Sequence, residues 1–302
     1  MKKYIFFAGL IFILIAARVS AAAPDFTLQP AKVEITMRPG ESTQRELTVI
    51  NNGHRPTRVN LMVEDFKPGV SPAEPVNLIE PEVANPYSLF PYLTLPVRAL
   101  DLAPGQATTV PVVISLPVAI GAAGGLYGAV IFSFAPIGEE NQWTAARSRL
   151  GALIFIKTAG VTVREIGKLA SFGLLGGQMI EAKQIPTFYL NYTNQGNVHL
   201  NPYGGITLTN RLTGAKNNLA VDPWFVLPDS SRIREIISST NLSAGWYRAE
   251  LKLNRGYADL IDEQSISFFV WSWLALAEIG FGLAAVLFLV FKLRRYFRGK
   301  IK

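Results

Sequence analysis

The side chains able to do chemistry are few and scattered. His54 and His199 are the whole imidazole supply, and the 302 residues include no cysteine. That removes a disulfide framework, thiolate zinc ligation, iron–sulfur clusters and a thiol nucleophile. His54 falls in an Asn-Gly-His-Arg-Pro turn, where a surface polar role is expected. His199 alternates with Val198 and Leu200, the pattern of a strand histidine satisfied by its neighbours. Carboxylates come as adjacent pairs: Glu64-Asp65, Glu139-Glu140 and Asp262-Glu263. Neighbours on a strand point to opposite faces, so none of these pairs converges as acid and base, and none has calcium-loop spacing. The glycine-rich stretch 121–128 lacks Lys-Ser/Thr and opens a strand, which makes it a turn and not a phosphate loop. No Gly-x-Ser-x-Gly elbow occurs. The expectation is a protein that is not an enzyme and carries neither cofactor nor metal.

Binding surfaces are a different matter. Residues 66–100 carry seven prolines together with Tyr87, Phe90 and Tyr92. A long irregular excursion of this kind is unusual in a compact domain and is often functional. It reads as cover for an apolar sheet, with Tyr87, Phe90 and Tyr92 as the candidate surface for a ligand or partner. The second candidate is Glu278 in an otherwise apolar run. A carboxylate in hydrocarbon costs on the order of 2.5–3.5 kcal/mol on the lenient insertion scale. Either it pairs with a group on another membrane helix, with Gly280 and Ala284 allowing close approach, or it is protonated or reaches the outer interface.

The elements around these residues start with two apolar segments. Residues 1–21 join Lys2 and Lys3 to a short apolar run and end in small residues, as a secretory signal peptide does. The run 268–291 is almost wholly apolar and long enough to span a core of about 30 Å as a helix. Trp271 and Trp273 stand near its start, and 292–302 is basic. Positive flanks stay inside, so the expected topology is single-pass type I, with residues 22–267 outside the cell membrane.

Charge agrees with that topology. The net charge of +7 would ordinarily suggest a polyanionic partner. Nine of the 29 basic residues, however, lie in 1–21 and 292–302. The remaining chain has 20 bases against 21 acids once Glu278 is set aside, which argues against nucleic acid.

Between the apolar segments, hydrophobic residues recur with period two. Leu47 and Val49, then Val59, Leu61 and Val63, each mark one face of a strand. Pro39-Gly40, Pro68-Gly69, Pro104-Gly105, Asn52-Gly53 and Gln195-Gly196 supply the turns. Residues 46–53 resemble 188–196 as a strand running into an Asn/Gly turn, and Gly125-Leu-Tyr127 resembles Gly245-Trp-Tyr247. The expected fold is all-β: two tandem immunoglobulin-like sandwiches at 24–165, with the Pro-rich insertion 66–100, and 166–267, followed by one transmembrane helix. In the second, Tyr247, Ala249, Leu251 and Leu253 should face inward. In the first, residues 129–134 and 152–156 are apolar on both faces and need cover on both.

Pro39-Gly40 leading to Asn51-Asn52-Gly53, Leu102-Ala-Pro-Gly105 before a valine-rich strand, and Gly124-Gly125-Leu-Tyr-Gly-Ala-Val-Ile-Phe132 resemble the WxL-interacting protein family. The resemblance implies a bacterial surface protein with a peptidoglycan-binding first domain, a second domain that binds host or partner proteins, and a membrane helix with a basic tail. The region 196–204 departs from it. The resulting expectation is a non-enzymatic surface protein that binds cell-wall polymer or another surface protein, with an anchoring or chaperone-like adaptor of a secreted or pilus-like assembly as the alternative.

Overall fold

The computed structural model describes residues 25–79, 84–120, 123–137, 148–239 and 241–299. The signal-peptide reading of 1–21 and the last three tail residues lie outside them. The described chain is mostly β-strand and ends in one apolar helix.

The N-terminal half runs through β1 (Phe26–Gln29), β2 (Lys32–Met37), β3 (Ser42–Asn51), β4 (Thr57–Lys67), β5 (Asn77–Ile79), β6 (Leu93–Thr94), β7 (Ala99–Leu102), β8 (Ala107–Ser115), β9 (Gly125–Pro136) and β10 (Ser148–Thr158). One sheet has the order β1-β3-β8-β6, and the other β2-β10-β9-β4-β5 with β7 also on β4. Their inner faces meet in a core of Leu47, Val49, Val110 and Val112 against Val59, Leu61, Phe132 and Ile154. Each side chain of this kind, fully buried, contributes roughly 1.5–3 kcal/mol relative to exposure.

The C-terminal half comprises β11 (Gly167–Leu174), β12 (Met179–Glu181), β13 (Thr187–Asn194), β14 (Tyr203–Asn210), β15 (Lys216–Val221), β16 (Ser230–Ile237), β17 (Gly245–Asn254) and β18 (Ile261–Trp271). The sheets β11-β13-β16 and β12-β18-β17-β14-β15 enclose a second core that includes Phe188, Leu190, Ile206, Leu251 and Phe268. Burial along β17 alternates as the period-two pattern predicts, with Tyr247, Ala249, Leu251 and Leu253 inside.

The internal repeat has a physical counterpart. Asn51 Nδ2 donates to the carbonyls of Arg55 and Leu102, and its Oδ1 accepts from the Gly53 amide. Asn194 does the same in the other half, donating to Val198 and Val226 and accepting from Gly196. Both are fully buried. Each closes its turn and ties that turn to a distant segment, which is why a polar side chain persists in an apolar setting. The Pro-Gly turns at 39–40 and 104–105 place glycine at φ +84° and +74°, a region other residues rarely adopt.

Residues 66–100 do more than cover one sheet. β5 extends the β9/β10 sheet, β6 crosses to pair β8 in the opposite sheet, and β7 returns to β4. Leu89 and Leu93 enter the inner core. Buried Asp65 holds the crossing by accepting from the Leu89 and Phe90 amides at 3.1 and 3.0 Å.

The helix α1 (Trp273–Gly299) starts later than the apolar run implies. Phe268 and Val270 belong to β18 and point into the second core. An apolar run alone cannot distinguish a core strand from the start of a helix. The segment long and apolar enough to cross a membrane is Trp273–Arg294.

Candidate functional site

Among the described residues, one partly open strand edge in the N-terminal half lies on β10. Along one side, β10 pairs antiparallel with β9 from Ser148 to Lys157. Along the other, β2 pairs with it only from Leu153 onward, where the Leu153 amide donates to the Ala31 carbonyl at 3.0 Å. Backbone groups alternate sides along a strand, so those of Arg149 and Gly151 face the side that β2 leaves free. Among the described residues no strand pairs with that stretch. Arg149 is held by an ion pair with Glu64, while Leu150 packs partly on the inner core. A cavity of about 350 Å³ adjoins the edge at Ser148. Phe26 and Phe134 stack at 3.9 Å on its wall, and Asp25, His54 and Arg55 are among its polar lining. An unpaired row of amides and carbonyls beside an apolar recess has the chemistry to take an extended polypeptide: the backbone pairs and a side chain fills the recess.

A second cluster joins the halves. The outer faces of β9 and β10 present Tyr127, Ala129, Ile131 and Phe155, which with Phe66 pack on Phe225 and Leu227 from the C-terminal half. Phe155 lies at ring-centroid distances of 5.0 Å from His199 and 4.9 Å from Phe225. The His199 side chain is 2% exposed and its Nε2 donates to Glu34 Oε1 at 2.9 Å. The Tyr127 hydroxyl accepts from the His199 amide at 2.7 Å and lies 3.3 Å from its Nδ1. Asn201 also donates to Glu34, and Lys32 pairs with its other oxygen. The hydrogen bond from His199 holds the Glu34 carboxyl down at about 2, against an opposing push from burial. Burial raises the Tyr127 phenol well above its usual range. The bonds from His199 and Asn201 to Glu34 and Tyr127 tie one half to the other.

The sequence candidates fall in different places. Tyr87 turns into the junction: it packs against the cluster around Tyr127, and its hydroxyl donates to Asp229 Oδ2 at 3.0 Å. Burial and that carboxylate push its phenol up to about 12. Tyr92 packs against the inner core on the other side of the β4/β9 sheet. Phe90 lines a groove of about 340 Å³ with Leu61, Met62, Leu93 and Arg98. All three rings are half-buried, and they do not form one stacking platform. Glu278, Gly280 and Ala284 are all exposed on α1. At 100° per residue, Glu278 lies about 160° around the helix from Gly280 and about 120° from Ala284, and shares its face with Ala275, Gly282 and Ala285. Glu278 and the Gly280–Ala284 pair therefore lie on different sides of α1. The groove edge on β10 has no signature in composition; the change from two-sided to one-sided pairing depends on where β2 begins.

No family model matches the chain, and no curated protein matches it. Among solved structures, the YadV chaperone overlaps 81% of this chain and 100% of its own at 11% identity and TM-score 0.40. The class 5 fimbriae chaperone CfaA covers 82% and 99% at 13% identity and TM-score 0.38. The E. coli chaperone DraB covers 81% and 96% at 15% identity and TM-score 0.35.

Proposed function

We propose that this chain is a membrane-anchored, non-enzymatic exterior protein whose paired β-sandwiches hold a polypeptide partner by strand addition at β10. The observation that carries this is the unpaired edge from Ser148 to Ala152 next to the Phe26/Phe134 recess. In this reading α1 tethers the halves, the basic residues at its C-terminal end stay in the cytoplasm, and the protein acts as an anchoring or chaperone-like adaptor. The edge favours a polypeptide over a cell-wall polymer, because sugar recognition by stacking needs open aromatic rings and Tyr87, Phe90 and Tyr92 are half-buried. The resemblance to the WxL-interacting family suggests a secreted surface protein as that partner.

The test uses the full chain purified from membranes. Gly151→Pro removes an amide on the open side while leaving the β9 side of β10 paired, a position where a strand tolerates proline. The wild type should co-purify a surface polypeptide that Gly151→Pro loses with its melting temperature preserved. Retention of the partner by a folded Gly151→Pro protein overturns strand addition. Binding to isolated peptidoglycan with no polypeptide recovered would restore the cell-wall reading.

A further inference from the structure

The end of the C-terminal half from which α1 departs has an unusual surface. Gly245, at the start of β17, pairs with Val270 near the end of β18, and α1 begins two residues after Trp271. On the outer face of that sheet Met179, Phe269 and Trp246 form one row across three adjacent strands, since Met179 and Trp246 both pair with Phe269. Met179 is 65% exposed and Trp246 50%, and the row lines an open concavity. One step further from the helix the same face turns polar, with Arg248 paired to Glu250 and Lys252 to Glu263. The face therefore changes from apolar to charged along the direction that leads away from α1.

The surrounding turns repeat the pattern. Arg211 donates its amide to the Trp246 carbonyl, which sets the 211–216 turn beside the row, and Leu212 at its tip is 76% exposed. Lys183 follows β12, whose Glu181 pairs with Trp271. Arg211, Lys183 and Lys216 are all exposed at this end. Phe269 lies three residues before Ser272, a reach of roughly 10 Å at strand rise. Headgroup layers are only about 5–8 Å thick on each side of the hydrocarbon, so a helix entering lipid at Trp273 brings this row to the bilayer boundary. Aromatic rings favour that depth, and cations are drawn to an anionic surface.

We propose that this end of the C-terminal half rests on the outer surface of the bilayer, with Met179, Phe269 and Trp246 at the headgroup boundary and Lys183, Arg211 and Lys216 on anionic headgroups. This rests on the reading of α1 as a membrane anchor. The contact removes the freedom of the halves to swing about Ser272 and fixes the height at which the β10 edge stands above the membrane.

The absence of native cysteine makes a direct test possible, because each introduced thiol carries one nitroxide. Full-length Met179→Cys, Trp246→Cys, Leu212→Cys, Glu263→Cys and Ala277→Cys are placed in vesicles of phosphatidylcholine alone or mixed with phosphatidylglycerol. Accessibility to oxygen and to a water-soluble nickel chelate is then read by electron paramagnetic resonance. The expected result is headgroup depth at 179, 212 and 246, lipid at 277 and water at 263. The shallow sites should move deeper when phosphatidylglycerol is added, and Lys183→Gln, Arg211→Gln and Lys216→Gln together should abolish that shift. Water exposure at 179, 212 and 246 with 277 in lipid overturns the contact and leaves the anchor standing. Water exposure at 277 overturns the anchor reading itself. Protection at 179 and 246 that depends on protein concentration assigns the face to a second copy and also overturns the lipid contact. Leu212→Cys, on an exposed turn, keeps the test intact if Trp246→Cys does not fold.

Discussion

The sheet containing β9 and β10 and the sheet containing β17 and β18 are each centred on a hairpin of long antiparallel strands, yet they live in different surroundings. Almost all of β9 is buried, with Val130, Phe132 and Phe134 facing the inner core and Tyr127, Ala129 and Ile131 facing the other half. Along β17 every second residue is inside, while Trp246, Arg248, Glu250 and Lys252 face outward. A face that meets another unit must be apolar throughout, whereas a face that meets water can alternate. The apolar excess of the first hairpin thus records the junction between halves.

The comparison can be broken most forcefully at Phe155. This ring is fully buried on the outer face of β10, so Phe155→Ala should cost about 3–5 kcal/mol in guanidinium unfolding of the full chain. The structurally matching outer face of β17 should show no such sensitivity; a comparable loss for Lys252→Ala would mean the two faces are alike. Next come the repeated asparagines. Asn51→Ala and Asn194→Ala each strand a glycine amide and two carbonyls, and each should lower stability by roughly 1–3 kcal/mol in the same measurement. Similar losses at both positions support duplication, and a negligible loss at either breaks it.

Acid offers a way to loosen the junction alone. The folded pKa of Glu34 is depressed, from 4.5 to about 2, so its contribution is fully present above pH 4.5 and fades as pH falls toward 2. The gap in melting temperature between wild type and Glu34→Gln should therefore close across that window. The carboxylate is 35% exposed, so solvent screening makes this effect smaller than those above. A gap unchanged between pH 5 and pH 2.5 would detach Glu34 from the junction's stability. The smallest effect belongs to the wet face: Lys252→Ala should stay within about 0.5 kcal/mol of wild type.

Much of this architecture was legible from residue order. Alternation at Tyr247 to Leu253, the turn asparagines and the apolar excess of 129–134 are local patterns, and strands obey them because side chains leave a pleated backbone on alternate sides. Less legible was the path of residues 66–100, since crossing from one sheet to the other depends on Asp65 catching two amides about 25 residues away. The same holds for Tyr87, whose tyrosine chemistry suggested a ligand surface and whose place is set by Asp229. The start of α1 was hidden because Phe268 and Val270 are equally suited to a core and to lipid.

By itself, then, the sequence determined a cysteine-free, β-rich chain with no constellation for catalysis, an apolar helix near its C-terminus and a basic surplus confined to the ends. Composition and period suffice for those properties because each is decided within a few residues. Only the tertiary structure decided that His199 would join Glu34 and Tyr127, that the outer face of β10 would be covered by Phe225 and Leu227, and that no strand among the described residues would pair β10 at Arg149 and Gly151 on its second side. These depend on where β2 begins and how two halves meet, and contacts between residues seventy or more positions apart leave no local trace in the chain.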